Sequence, residues 1–172
     1  FLLTGAALGD RFGRRRMFVA GLSIFTLASA AAALAPSMEA LIAARAVQGI
    51  GAAIVTPLTL TILSGAFPSE RRGVALGAWS GIAGLAVAAG PLVGGAVVDG
   101  LAWQWIFWLN VPIGLAVIPL ARVLTESHGP DRALDLPGLA LASGGLLGLV
   151  WGLVHGNGAG WASPEIAGSL TL

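Results

Sequence analysis

The sequence predicts an all-α polytopic membrane protein, and three observations carry that reading. Of its 172 residues 56% are hydrophobic and 10% charged, with a mean hydropathy of +0.88, whereas soluble domains carry about 25% charge. The apolar residues form unbroken runs of about 20, the length that crosses a bilayer as a helix. Eight of the nine arginines sit in three of the turns between those runs. A closed barrel is the other way to span a bilayer, but its strands alternate apolar and polar residues over about ten positions. These runs do not alternate, so helices are expected.

Taken in order, a helix ends over residues 1–9. Five spans follow, at roughly Met17–Ala35, Ala40–Ala66, Gly73–Val98, Gln104–Ala121 and Pro137–His155, and a further helix opens near Pro164. Turn chemistry separates them: Gly13-Arg, Ala35-Pro-Ser, Phe67-Pro-Ser, Asp99-Gly and His128-Gly-Pro-Asp. Ser37 before Glu39, and Ser163 before Pro164-Glu165, read as helix N-caps with an acid in the first turn. Both ends of the chain fall inside apolar runs, which reads as an internal piece of a longer membrane protein.

If the spans alternate direction, the turns at 10–16, 67–73 and 122–136 share one face of the membrane. Those near 36–39, 99–103 and 156–164 share the other. The first face holds Arg11, Arg14, Arg15, Arg16, Arg71, Arg72, Arg122 and Arg132, and the second holds no arginine. Cytoplasmic loops are enriched in basic residues, so the first face is expected to be cytoplasmic, in a multi-pass cell-membrane protein.

Composition also excludes several classes. There is no cysteine, hence no disulfide and no thiolate metal site. There is no lysine, hence no phosphate-binding loop of the Gly-x-x-x-x-Gly-Lys kind. Gly49-Ile-Gly51 lacks the third glycine of a dinucleotide fingerprint. The basic isoelectric point does not point to nucleic acid, because the arginines are turn-bound between spans. No charged ring suggests a channel. Ser80 and His155 pair only on paper as an intramembrane hydrolase, since no oxyanion scaffold surrounds them. The expected partner is the lipid bilayer, with no metal, no organic cofactor and no enzymatic activity.

Three stretches carry chemistry. The first is Gly5-Ala-Ala-Leu-Gly-Asp10-Arg11-Phe-Gly13-Arg14-Arg15-Arg16, which places five charges in the seven residues 10–16. Asp10 ends a helix and the arginines open the next, so each meets the unfavourable end of a helix dipole. Asp10 therefore needs a partner, for which Arg11, Arg14 or another helix N-terminus would serve. Gly13 is expected to supply the turn with a positive φ. The alternative is a solvated basic turn that only obeys the charge-sidedness rule.

In the second stretch, Arg45, Gln48, Gly49, Ala52 and Thr56 recur at i, i+3, i+4, i+7 and i+11, on one helical face. A charge inside a span costs about 2.5–3.5 kcal/mol on insertion scales and usually faces a bundle interior or a wet cavity. The alternative is snorkelling of Arg45 to the outer interface. In the third, Pro91 lies mid-span and should kink its helix. Gly90 and Gly94 offer a close-packing surface of a kind that generic membrane helices also use.

These stretches together resemble the major facilitator superfamily. Leu8-Gly-Asp10-Arg11-Phe-Gly13-Arg14-Arg15 is similar to its loop between helices two and three, with Ala6 where the family has glycine. The resemblance implies a cytoplasmic latch of Asp10, Arg11, Gly13, Arg14 and Arg15 that sets the inward–outward equilibrium. Leu41-x-x-x-Arg45-x-x-Gln48-Gly49-x-Gly51-Ala-Ala resembles its helix-four motif and implies that Arg45, Gln48, Gly49 and Thr56 serve the cavity and proton coupling. Gly90-Pro91-Leu-Val-Gly94-Gly95 resembles its helix-five antiporter motif, with Ala86 at the leading glycine, and implies export. Trp103-Gln-Trp-Ile-Phe-Trp-Leu-Asn110-Val-Pro112 is similar to helix six of the fourteen-helix drug:proton antiporter branch, which often has arginine where Gln104 stands.

The expected architecture is accordingly a partial major-facilitator helix bundle. Residues 1–122 make the N-terminal six-helix half, from late helix two to helix six. Residues 123–136 make a short cytoplasmic connection, and 137–172 the extra central helix seven and the start of helix eight. Asp135-Leu-Pro-Gly leading into the Pro137–His155 span and Gly160-Trp161-Ala-Ser-Pro164 following it carry the resemblance to the two extra central helices, while Gly144, Gly148, Gly152 and Gly156, at every fourth position, give the span one smooth ridge. The resemblance implies a proton-coupled efflux transporter for a small amphipathic substrate, driven by the proton gradient and completed by a C-terminal half of the same chain. A metabolite exporter of the same superfamily is the alternative, and a sensor on the same fold another. No acid lies mid-span, so the proton-carrying carboxylate is expected elsewhere.

Overall fold

A computed structural model describes residues 2–129, 136–160 and 163–170. Arg132, Asp135 and Trp161 lie outside the described residues. The described residues form eight helices and no strand: α1 Leu2–Phe12, α2 Arg14–Ala33, α3 Met38–Ala66, α4 Ser69–Gly100, α5 Trp105–Trp108, α6 Asn110–Ala121, α7 Leu136–Ala159 and α8 Pro164–Leu170. They divide into two units, Phe1–Arg132 and Ala133–Leu172.

In the first unit α2 is the hub, packing chiefly on α3 and also on α6, α1 and α5. Its buried positions explain this: Gly21, Thr26, Ala28, Ser29, Ala32 and Ala33 are all small. In lipid there is no hydrophobic drive between helices, so association rests on close backbone approach and interhelical hydrogen bonds. Helices α2 and α3 cross closely where Gly21 meets Gly51 of α3. A Cβ on Gly51 would stand 2.7 Å from both the Gly21 carbonyl oxygen and the Phe25 nitrogen. Gly49, two residues away, faces open space. Gly51→Ala should therefore cost about 1–3 kcal/mol of overpacking. Gly49→Ala should be neutral or gain up to about 1 kcal/mol from helix propensity. Unfolding of the full-length protein in detergent checks the contrast, and equal effects of the two changes would contradict it.

The ends of the helices follow their caps. Ser37 caps α3 by accepting a hydrogen bond from the Ala40 nitrogen at 3.3 Å, as its place before Glu39 predicts. Ser163 does the same for α8, accepting from the Ile166 nitrogen at 3.4 Å. Helix α4 starts at Ser69, earlier than the apolar run, because Pro68 sets the cap and the charged Ser69-Glu70-Arg71-Arg72 turn is itself helical. The expected fourth span is broken between α5 and α6 near Leu109. Pro112 has no N–H to offer the Trp108 carbonyl one turn back, and its ring crowds that carbonyl.

Among the described residues three helices, α2, α3 and α4, are long and apolar enough to cross a bilayer; the Trp105–Ala121 and Ala140–Gly156 stretches are shorter. Helix α4 has no buried residue, and its sizeable contacts are with its chain neighbours α3 and α5.

In the second unit α7 packs against α8. Gly152 and Gly156, from the glycine ridge, are buried, as is Ile166 of α8. His155 stacks on Trp151 with centroids 3.9 Å apart.

Candidate functional site

The charged corner is built from two segments far apart in sequence. Gly13 joins α1 to α2 with φ +104°, the left-handed backbone that the turn required. The turn lets Arg14 fold back on α1, and its Nε donates to the Asp10 carboxylate at 2.8 Å. Asp10 thus finds a partner within the corner. Arg11 lies over the Phe12 ring, 5.2 Å from its centroid.

The second segment is the exit from α6, residues 122–129. Glu126 brings its carboxylate to the first turn of α2, accepting from the Arg15 nitrogen at 2.9 Å and the Arg16 nitrogen at 3.3 Å. One of these oxygens, Oε2, faces both the Arg15 Nε at 3.5 Å and the Arg16 Nε at 3.7 Å. The Arg14 nitrogen donates to the Ser127 carbonyl at 2.9 Å, and the Gly129 nitrogen to the Asp10 carbonyl at 3.1 Å. Arg15 Nη1 donates to the carbonyls of Arg122 at 3.2 Å and Leu124 at 3.1 Å. A helix opening on three arginines has no acid in its own first turn. Glu126 supplies the anion that the α2 dipole and its unpaired N–H groups favour, and α2 starts at Arg14 rather than at the apolar Met17.

Gly13 serves this contact a second way: a Cβ there would stand 2.9 Å from the Glu126 carboxyl carbon. Sorting arginines by face does not reveal Glu126, because the acid it supplies belongs to a turn far from α2 in sequence. The missing first-turn acid of α2 was the signal that one had to come from elsewhere.

The corner confirms that the 10–16 and 122–129 turns lie on one face. The 67–73 turn joins them, since Phe67 shares an apolar groove with Phe18 and Leu124. At the other end Ala33 shares a groove with Ala102, Gln104 and Trp105.

On α3 the expected polar face divides. At about 100° per residue, Gln48 lies about 60° to one side of Arg45, while Gly49 and Thr56 lie about 40° and 20° to the other. That difference turns Gln48 onto α2, where it is 2% exposed, along with Gly51, Ile54 and Leu58. Gln48 therefore does not line the open side, as expected of it; it braces Arg45. Arg45 Nη1 donates to the Gln48 Oε1. Gln48 Nε2 donates to the Ser29 Oγ at 2.6 Å, and Ser29 to the Phe25 carbonyl at 2.7 Å. The Phe107 ring of α5 lies 5.7 Å from the guanidinium, within cation–π reach. The guanidinium is thus held at two points rather than left to snorkel freely. Gly49 and Thr56 stay exposed on the open side, and the Thr56 hydroxyl donates to its own helix at the Ala52 carbonyl, 2.8 Å away.

On α4 Gly90, Pro91 and Gly95 are exposed and Gly94 is half-buried. Nothing among the described residues comes within 4 Å of a Cβ on Gly90, Gly94 or Gly95. The helix runs unbroken through Pro91.

The family model described as Major Facilitator Superfamily matches residues 1–164. An "uncharacterized MFS-type transporter" of Mycobacterium tuberculosis is 45% identical over 162 residues, covering 93% of this chain and 28% of that protein. A "tetracenomycin C resistance and export protein" of Streptomyces glaucescens is 38% identical, covering 98% of this chain and 32% of that protein. A "methylenomycin A resistance protein" of Bacillus subtilis is 39% identical, covering 99% and 37%. The chain spans about a third of the length of these relatives.

Proposed function

Because the chain belongs to the Major Facilitator Superfamily, a family of multi-pass transporters, we propose that it is part of a proton-driven exporter of small amphipathic molecules. It works by alternating access, one helix bundle rocking about a midplane site. The observation that carries this reading is that nearly the whole chain matches relatives named for antibiotic resistance and export. The Gly-Pro-x-x-Gly-Gly stretch of α4 agrees with that direction of transport.

Each site has a part in the proposal. The α1–α2 corner, clasped by the α6 exit, is the cytoplasmic latch and makes α1, α2 and α6 move together. Arg45, positioned by Gln48 and Ser29, faces the transport path beside Gly49 and Thr56 and senses the protonation of a carboxylate elsewhere in the protein. Gly90, Pro91, Gly94 and Gly95 form the surface on which the rocking bundle packs. No cofactor is called for, since the proton gradient supplies the energy. The hydrolase alternative gains nothing: Ser80 is exposed on α4, and the His155 Nδ1 sits 3.1 Å from the Trp151 carbonyl of its own helix.

Asp10→Asn in the full-length protein tests the latch. Asparagine keeps an acceptor for Arg14 but loses the charge, worth roughly 1 kcal/mol in a partly exposed pair, or about fivefold in the latch equilibrium. Substrate uptake into everted vesicles should fall by about that factor with membrane insertion unchanged. Wild-type efflux from this variant would end the latch role.

A further inference from the structure

We propose that the cytoplasmic corner carries a binding site for the phosphate of an anionic membrane phospholipid, formed by Arg16 and Arg122 with Arg15 as its wall. These residues, with Val19 and Ala20, line a recess of about 460 Å3. Charge sidedness alone accounts for arginines in each turn. It does not account for guanidiniums 106 residues apart in sequence, on α2 and on the C-cap of α6, converging on one recess.

The local charge balance leaves these two arginines available. Asp10 is committed to Arg14 at 2.8 Å. Glu126 is committed to the backbone of α2 and stands nearest Arg15, with Arg16 at a looser 3.7 Å. The Arg16 side chain is 74% exposed. The Arg122 side chain is exposed, and among the described residues its guanidinium has no hydrogen-bond or ion-pair partner, only its carbonyl being used. Arginine forks match phosphate oxygens in pairs, and basic recesses between helices on the cytoplasmic side suit lipid head groups.

The apolar part of the recess favours a lipid over a free anion. Val19 and Ala20 follow Arg16 by three and four residues, on the same face of α2 one turn further into the membrane. A phosphate held by Arg16 and Arg122 would have its glycerol and acyl chains against them.

The full-length protein, reconstituted in phosphatidylcholine nanodiscs with graded phosphatidylglycerol, tests this. Native mass spectrometry then counts retained phosphatidylglycerol. The wild type should retain at least one molecule, and Arg16→Gln and Arg122→Gln should each weaken its retention about fivefold. Arg71→Gln with Arg72→Gln, on another cytoplasmic turn, should leave retention unchanged. Inorganic phosphate at the same concentration should not displace the lipid. Unchanged retention in the Arg16 and Arg122 variants would overturn the proposal. So would equal loss from the Arg71/Arg72 pair, which would mean a diffuse surface field. Displacement by phosphate would mean an anion site with no lipid preference, and would overturn it too. A melting curve for each variant separates loss of binding from loss of fold.

Discussion

Arg45→Met should abolish the proposed proton-driven efflux by the full-length protein while the protein still inserts and accumulates. Arg45 is the single arginine placed inside a span, and a charge is kept there only against a cost of about 2.5–3.5 kcal/mol. Its guanidinium is not idle in the structure: it donates to Gln48, which is tied through Ser29 to the backbone of α2. Methionine matches the length of the stem but removes the charge and every donor. It also leaves the Gln48 Oε1 without its partner, a stability cost of about 1–3 kcal/mol, which a melting curve reads separately from transport.

Arg45→Lys sharpens the test. Lysine keeps the charge but lacks the planar fork, so it cannot both reach Gln48 and lie over the Phe107 ring. It should insert normally and transport poorly. Full efflux from Arg45→Met would remove Arg45 from the mechanism. Full efflux from Arg45→Lys would mean that charge alone matters and the bracing does not.

Glu126→Ala has the largest expected effect on stability, a loss of about 2–4 kcal/mol. The Glu126 side chain is only 20% exposed. It satisfies two N–H groups at the start of α2 and opposes the charge of Arg15 and Arg16. Alanine frees both donors and leaves three arginines at the positive end of a helix dipole with Asp10 as their nearest described anion. Glu126→Gln keeps one acceptor but no charge, and should lose about half as much. Detergent unfolding gives the size of the effect. Protease cutting within 123–136 should quicken as the α6 exit comes away from the corner. Unfolding of Glu126→Ala indistinguishable from wild type would show that the clasp contributes nothing.

The helices were legible in the sequence because lipid imposes so simple a rule. Every backbone group must be satisfied inside its own helix, and apolar length then marks each span. The sorting of arginines was legible for the same reason, and the contact of the α1–α2 corner with the α6 exit agrees with it. The need for a positive φ at Gly13 could be seen from the charge-dense turn.

What could not be seen depended on which side of a helix faced which neighbour. Gln48 and Gly49 differ by one position, about 100° around α3, and that turn puts one against α2 and the other in the open. Gly51, which the sequence reading left unassigned, proves to be the residue on which the α2–α3 crossing depends, because only the fold brings Gly21 to it. Glu126 was hidden more deeply. Its partner lies 111 residues away in the hydrogen bond to Arg15, and no local pattern marks an acid that caps another helix. The break at Leu109 was readable in principle from Pro112, yet the apolar run continued through it.

The proposed exporter is tested most directly by reconstituting the full-length protein in liposomes, imposing a pH gradient, and following a fluorescent amphipathic cation. Transport should track the gradient in sign and size, collapse when a protonophore dissipates it, and vanish in Arg45→Met. Cation movement that persists undiminished without a gradient, or none under any gradient, would contradict the account.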